Sequence, residues 1–345
     1  MEKTNPIVKE KAVVPRLRLM KNQYVYLLAG LLIFGFFPHL FGPYLTSVFI
    51  IIGIYSITTV GLTILMGNAG LVSLAQAAFW GIGAYGTGIL TVKYEIPVLF
   101  SVVVGIIFSS IAGFILIYVT RNLEGHYFTL ATLGFGIVIN IILIEESTLT
   151  GGSSGLLGIP GFSIGNFALA SESMWFYFIW TIVILVVLLS RNLVKSGWGR
   201  NLRSMNSSLI ASQSMGINTG KYKVKAFVIS ASFAGLSGGL YASYMGFISP
   251  AVFNFEMSIK FVVMAVIGGL LSIYGALVGA IVITLLVEVL REFIPTLFSD
   301  TSAGGAVEVI FFGALLMVMM VYLPNGIMGI IKQAKTKFST GGRFS

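Results

Sequence analysis

The sequence contains no cysteine, only two histidines, and charged side chains at just 10% of its 345 positions. Without cysteine there are no disulfides, no Cys-ligated zinc and no thiol nucleophile. His39 and His126 fall at the ends of different apolar segments, on opposite sides, which argues against a shared metal site. An ordinary soluble domain is about a quarter charged, so the scarcity of charge excludes that class. Between Asn22 and Val92 there is no Asp, Glu, Lys or Arg at all. Catalytic signatures are missing too. There is no GxxxxGK[ST] phosphate loop, and "GINTGKY" (216–222) has the wrong spacing for one. No HExxH, GxSxG or paired-carboxylate arrangement occurs, so the chain is expected not to be an enzyme and to carry no metal or cofactor of its own.

What is abundant is apolar surface. Hydrophobic residues make up 57% of the chain and its mean hydropathy is +0.96. Long continuous apolar runs, rather than short alternating segments, imply an all-α polytopic membrane protein and not a β-barrel. A span needs about 20 mainly apolar residues. Segments that qualify are 24–41, 44–66, 71–92, 97–119, 126–145, 173–190, 226–246, 257–273, 275–294 and 304–324. That gives about ten transmembrane helices, or eight if the Gly-rich stretches dip in and return without crossing. With the N-terminus inside, all Lys and Arg except Lys93, Lys260 and Arg291 fall on the inner side, so both termini are expected to be cytoplasmic. The organisation is then a basic cytoplasmic tail (1–23), one transmembrane domain (24–324) and a second basic tail (325–345). The tails fit attraction to an anionic bilayer surface. No basic patch is joined to a nucleic-acid-reading module, so no nucleic acid is expected.

Two polar loops stand out. The outer one, 146–172, reads "ESTLTGGSSGLLGIPGFSIGNFALASE" and has no basic residue; it is either functional or a flexible connector. The inner one, 191–225, contains "GRNLRSMNSSLIASQSMGI", with apolar Leu202, Met205, Leu209 and Met215. This spacing predicts one or two short amphipathic helices stopped at Gly216. Such helices either dock on a cytoplasmic partner or rest on lipid headgroups.

The segment "GNAGLVSLAQAAFWGIGAYG" (67–86) is rich in glycine and polar residues for a membrane helix. Gly81, Gly83 and Gly86, with Ala77, Ala78 and Ala84, allow close helix approach. "GNAG" (67–70) interrupts the helical run, and a comparable break, "GGLLSIYG" (268–275), recurs in the second half. Two Gly-interrupted helical hairpins are expected, because paired breaks point toward a transport site. Asn68, Ser73 and Gln76 are candidates for the solute path, the alternative being helix–helix hydrogen bonds. Glu308 lies about one turn inside the last span. Glu288, Arg291 and Glu292 have the spacing of a local ion-pair set.

These motifs carry a family resemblance. "GNAGLVSLAQAAFWGIGAY", "LTGGSSGLLGIP" (149–160), the 199–250 segment, "AVIGGLLSIYGALVGA" (265–280) and "YLPNGIMG" (322–329) resemble, in order, ABC-transporter permeases of the branched-chain amino-acid type, the LivM branch of the LivM/LivH group. The resemblance implies a multi-pass permease of the plasma (inner) membrane that imports branched-chain or other small amino acids. It would work with a second, LivH-type permease, two cytoplasmic ATPase subunits that bind ATP and Mg, and an extracytoplasmic solute-binding protein. Relatives for urea, amides or nucleosides are an alternative, and a self-sufficient secondary transporter is a rival of another class. Gly199, Arg200, Ala211, Gly216 and Ile217 match the family's ATPase-coupling loop. Ser207, Leu209 and Ser212 depart from it. Thr150, Gly151, Gly152, Ser153, Ser154 and Gly155 match its outer loop, on the side where a binding protein would lean.

Overall fold

The computed structural model describes residues 42–123, 125–164 and 167–297, together with 35, 38, 40, 313, 314 and 326–329; side chains are described as far as 290 in the last helix. The expected spans 24–41 and 304–324 and the two tails lie almost wholly outside these residues. His39, Glu308 and the side chains of Arg291 and Glu292 do so as well.

The described chain is helical almost throughout. Apart from single turns in the loops, its helices are α1 (Gly42–Thr63), continued by a π-helical turn (Ile64–Asn68), α2 (Gln76–Lys93), α3 (Val98–Thr120), α4 (His126–Glu145), α5 (Glu172–Lys195), α6 (Gly197–Ser207), α7 (Leu209–Ser214), α8 (Thr219–Met245), α9 (Phe255–Gly268) and α10 (Ile273–Leu297). Six of them are long and apolar enough to cross a membrane: α1 with its π turn, α3, α4, α5, α8 and the Ile273–Leu290 part of α10.

The other two expected spans differ for physical reasons. Helix α2 starts at Gln76 rather than at 71, and most residues along it are buried. A helix insulated from lipid by its neighbours need not be strongly apolar, which is why glycine, threonine and glutamine are tolerated there. Helix α9 has 14 residues. At about 1.5 Å per residue it covers roughly 21 Å, short of the ~30 Å hydrocarbon thickness.

Helices α2, α3 and α8 pack into one bundle, α1 lies against α5, α8 and α10, and α9 pairs with α10. The bundle closes because its crossing points are glycines. A Cβ on Gly83 would stand 2.2 Å from the Gly235 carbonyl oxygen, and one on Gly238 would stand 1.9 Å from that of Trp80. Ser109 of α3 ties the three together, donating to the Ala231 carbonyl at 2.7 Å and lying 3.2 Å from that of Phe79. By contrast only 17% of the apolar window of α4 is buried, so most of its surface is left for lipid or a partner chain.

Polar loops mark the two ends of the bundle. At one, residues 156–157 pair antiparallel with 247–248. The other carries α6 and α7.

Candidate functional site

A cavity of about 590 Å³ opens at the loop end between α1, α8, α9 and α10. This lies within the ~300–1,000 Å³ typical of small-molecule sites. Tyr44, Ser47, Val48, Ile51 and Tyr55 of α1 form one wall; they recur with helical spacing and so share a face. The opposite walls bring Glu256, Met257 and Lys260 from α9 and Thr284, Val287 and Glu288 from α10. Tyr55, which lines the cavity, is backed by the buried Trp80 and Phe261, each edge to face at 5.7 Å between centroids.

The Tyr44 hydroxyl donates to the Glu288 carboxylate, and that of Tyr244 donates to Glu172 at 2.8 Å. The Thr284 hydroxyl is buried without a protein partner. Charged groups thus ring an otherwise aliphatic and aromatic recess. That combination suits a small solute with a charged head and an apolar body. None of these lining residues was singled out for a pathway from the sequence. Glu288 was read as part of a local ion-pair set. The legible signal was the recurrence of Tyr44, Ser47 and Tyr55 on one helical face, opposed by the acids of α9 and α10.

The first helix break lies toward the opposite end. The π turn Ile64–Asn68 is followed by an irregular stretch up to α2. Most of its backbone donors are paired: Gly70 N–H reaches the Met66 carbonyl at 3.2 Å, Leu71 that of Leu65 at 3.2 Å, Leu74 the Thr132 hydroxyl at 3.0 Å and Ala75 the Ser73 hydroxyl at 3.3 Å. The amide of Ala77 is capped by the Ser258 hydroxyl at 3.0 Å. Irregular backbone inside a membrane protein requires this kind of satisfaction. Asn68, Ser73 and Gln76 are all buried at this break. The Gln76 amide donates to the Ser230 hydroxyl of α8 at 3.0 Å, and its own carbonyl oxygen has no partner. None of the three lines the loop-end cavity.

The two breaks touch. A Cβ on Gly67 would lie 1.8 Å from the Leu270 carbonyl oxygen in the 269–272 turn between α9 and α10. From the other side, Asn206 of α6 donates from its amide to the Gly67 carbonyl at 3.1 Å.

In the 146–172 loop, Gly151, Gly152 and Gly155 have φ of +79°, +59° and +78°, a region that favours glycine. The Thr150 hydroxyl donates to the Leu143 carbonyl at 2.9 Å and accepts from Gly152 N–H at 3.1 Å. These four residues shape the loop, while Ser153 and Ser154 are exposed.

At the far end the 191–225 segment forms the two short helices α6 and α7. Leu202 and Met205 are buried against the bundle, but Met215 is 80% exposed and Ile210 78%. The apolar residues therefore divide between an inward anchor and an outward surface instead of forming one stripe. Gly199 packs with its α-carbon against the Val194 backbone, Arg200 lies 3.3 Å from the Lys195 carbonyl, and Ala211 accepts Met215 N–H at 3.2 Å. Gly216 ends the turn at φ +79°, and Ile217 N–H closes it on the Ser212 carbonyl at 3.1 Å.

Among the described residues no group of His, Asp and Glu is arranged to hold a metal. No solved structure matches the chain. The LivM permease of the high-affinity branched-chain amino acid transport system of Escherichia coli is 29% identical over 85% of this chain and 71% of its own length. The LivH permease of the same organism is 25% identical over 80% of this chain and 91% of its own. The LsrC permease of an autoinducer 2 import system from Salmonella paratyphi B is 26% identical over 75% of each. Residues 44–320 match the model of the family described as the permease component of branched-chain amino acid transport systems, and the chain belongs to that family.

Proposed function

We propose that this chain is the membrane-spanning permease subunit of an ABC importer for branched-chain or similarly small amino acids. Family membership supports the transport class. The observation that carries the substrate reading is the loop-end cavity, whose carboxylates and lysine ring an aliphatic and aromatic recess of about 590 Å³. An amino acid has a charged head for the rim and, when branched and aliphatic, an apolar body for the recess.

In this reading the bundle crosses the inner membrane about ten times. Residues 1–23 and 325–345 are cytoplasmic tails on a single 24–324 permease domain. The 146–172 loop lies outside, where Ser153 and Ser154 meet a binding protein on a frame set by Thr150, Gly151, Gly152 and Gly155. Residues 191–225 lie inside and couple to one of two ATPases, which hold the ATP and Mg. There Ile210 and Met215 supply the apolar contact, while Gly199, Arg200, Ala211, Gly216 and Ile217 set the shape. A LivH-type chain completes the pore. Asn68, Ser73 and Gln76 belong to the inner part of the path, below the cavity, where Gln76 keeps an unpaired carbonyl oxygen for a passing solute.

Two experiments test this. The absence of cysteine allows single-cysteine labelling: Ser154→Cys should react with an impermeant maleimide from outside, and Ile210→Cys only after permeabilisation. In liposomes, the complex rebuilt with its ATPases and binding protein should accumulate leucine, isoleucine or valine only with ATP. Accumulation by the single chain on an ion gradient would refute the reading, and uptake of urea or nucleosides alone would refute its substrate.

A further inference from the structure

We infer that Asn206 is a positioning residue that mechanically joins the surface helix α6 to both helix breaks, and through them to the walls of the solute cavity. The inference rests on the importer reading above and adds the route by which motion at one end reaches the other.

The contacts form an unbroken chain. Leu202 and Met205, with 0% and 4% exposure, fix α6 to the bundle. The next residue, Asn206, donates its amide to the Gly67 carbonyl at 3.1 Å. Its amide oxygen lies where a side chain on Gly70 would begin, 2.4 Å from the Cβ position, and Gly70 has φ +68°. The Asn206 amide thus grips the break at two points three residues apart. On its far side Gly67 has no room even for a methyl group, because the Leu270 carbonyl fills that position at 1.8 Å. Leu270 in turn belongs to the turn joining α9 and α10. A displacement of Asn206 is therefore passed to α1 by a hydrogen bond and to the α9–α10 hairpin by backbone contact.

The element it holds is not a regular helical turn. Gly67 lies within the π-helical turn, where Ala69 N–H bonds to the Ile64 carbonyl one residue beyond the α-helical register. A π turn is an α-helix with one extra residue in the ring, and such turns recur at functional sites. Passing that residue on along the chain shifts the end of α1 and moves the Gly67 carbonyl to or from Asn206. The helices meeting at this junction are α1, α9 and α10, and all three, with α8, supply walls of the cavity farther along their length. A two-state element touched by both sites is the physical requirement for coupling between them.

The test uses the complete transporter in liposomes with ATP, comparing wild type with Asn206→Ala and Asn206→Asp. Aspartate keeps the size of the side chain but, as a carboxylate, has no proton to donate to Gly67. Both variants should assemble and hydrolyse ATP within about twofold of wild type, while solute taken up per ATP hydrolysed falls about tenfold. Uptake per ATP unchanged in both variants would overturn the inference. So would uptake and hydrolysis falling in proportion, or failure of both to assemble, since either would make Asn206 merely structural. Wild-type complex without ATP-driven uptake would instead refute the importer reading itself.

Discussion

The side-chain amide of Gln76 donates to the hydroxyl of Ser230 at 3.0 Å, tying the first turn of α2 to α8 in the buried centre of the bundle. Two helices that already touch through glycine backbones are thereby fixed in rotation as well as in distance. Ser230→Ala would leave the Gln76 amide unpaired, and buried unsatisfied groups cost about 1–3 kcal/mol. Gln76→Met with Ser230→Ala removes both polar partners at similar volume and should recover much of that loss. Thermal inactivation of the detergent-solubilised complex checks the pair: the double variant should be more stable than Ser230→Ala alone.

The glycine crossing is less forgiving. Gly238→Val would drive a branched side chain into the Trp80 carbonyl, which stands 1.9 Å from the Cβ position. Overpacking costs about 1–3 kcal/mol where side chains can yield, and here the obstacle is backbone. The expected outcome is a loss of at least about 3 kcal/mol, seen as loss of assembled protein. Gly134, whose Cβ would meet nothing within 4 Å, is the control, and Gly134→Ala should be neutral.

Filling the cavity should stop transport without unfolding the chain. Ser47 and Ala251 line it and neither is buried. Ser47→Trp or Ala251→Trp should lower ATP-driven uptake more than about tenfold while assembly stays normal. Thr284→Val removes an unpartnered hydroxyl at constant size, so stability should hold or rise while the apparent KM for solute increases. Normal KM in all three variants would exclude this cavity from the path.

Gly216 ends α7 at φ +79°, in open space. Gly216→Val meets no neighbour there but is strained in the left-handed region by about 1–2 kcal/mol. The turn between α7 and α8 should shift, ATP-driven uptake should fall, and solute capture by the isolated binding protein should be untouched. Ile210→Asp, which leaves the fold alone, should weaken ATPase co-purification directly.

The sequence by itself determined the class, the family and most of the helices. Long uncharged apolar runs leave no other way to satisfy their backbone in lipid, so α1, α3, α4, α5, α8 and α10 were legible from composition alone. The two short helices of the 191–225 loop, and the stop at Gly216, followed from periodicity and glycine chemistry. Small residues between 77 and 86 announced close packing. What composition does not encode is which partner each face meets. Tertiary structure decided that Gly67 faces Leu270, that Asn206 grips the same break, and that Gln76 is held by Ser230. It also decided that Met215 points away from the bundle while Met205 points into it. The cavity belongs to this second group. Its walls come from α1, α8, α9 and α10, with Tyr44 and Glu288 separated by 244 residues of chain, and only the packing of glycine against backbone brings these helices together.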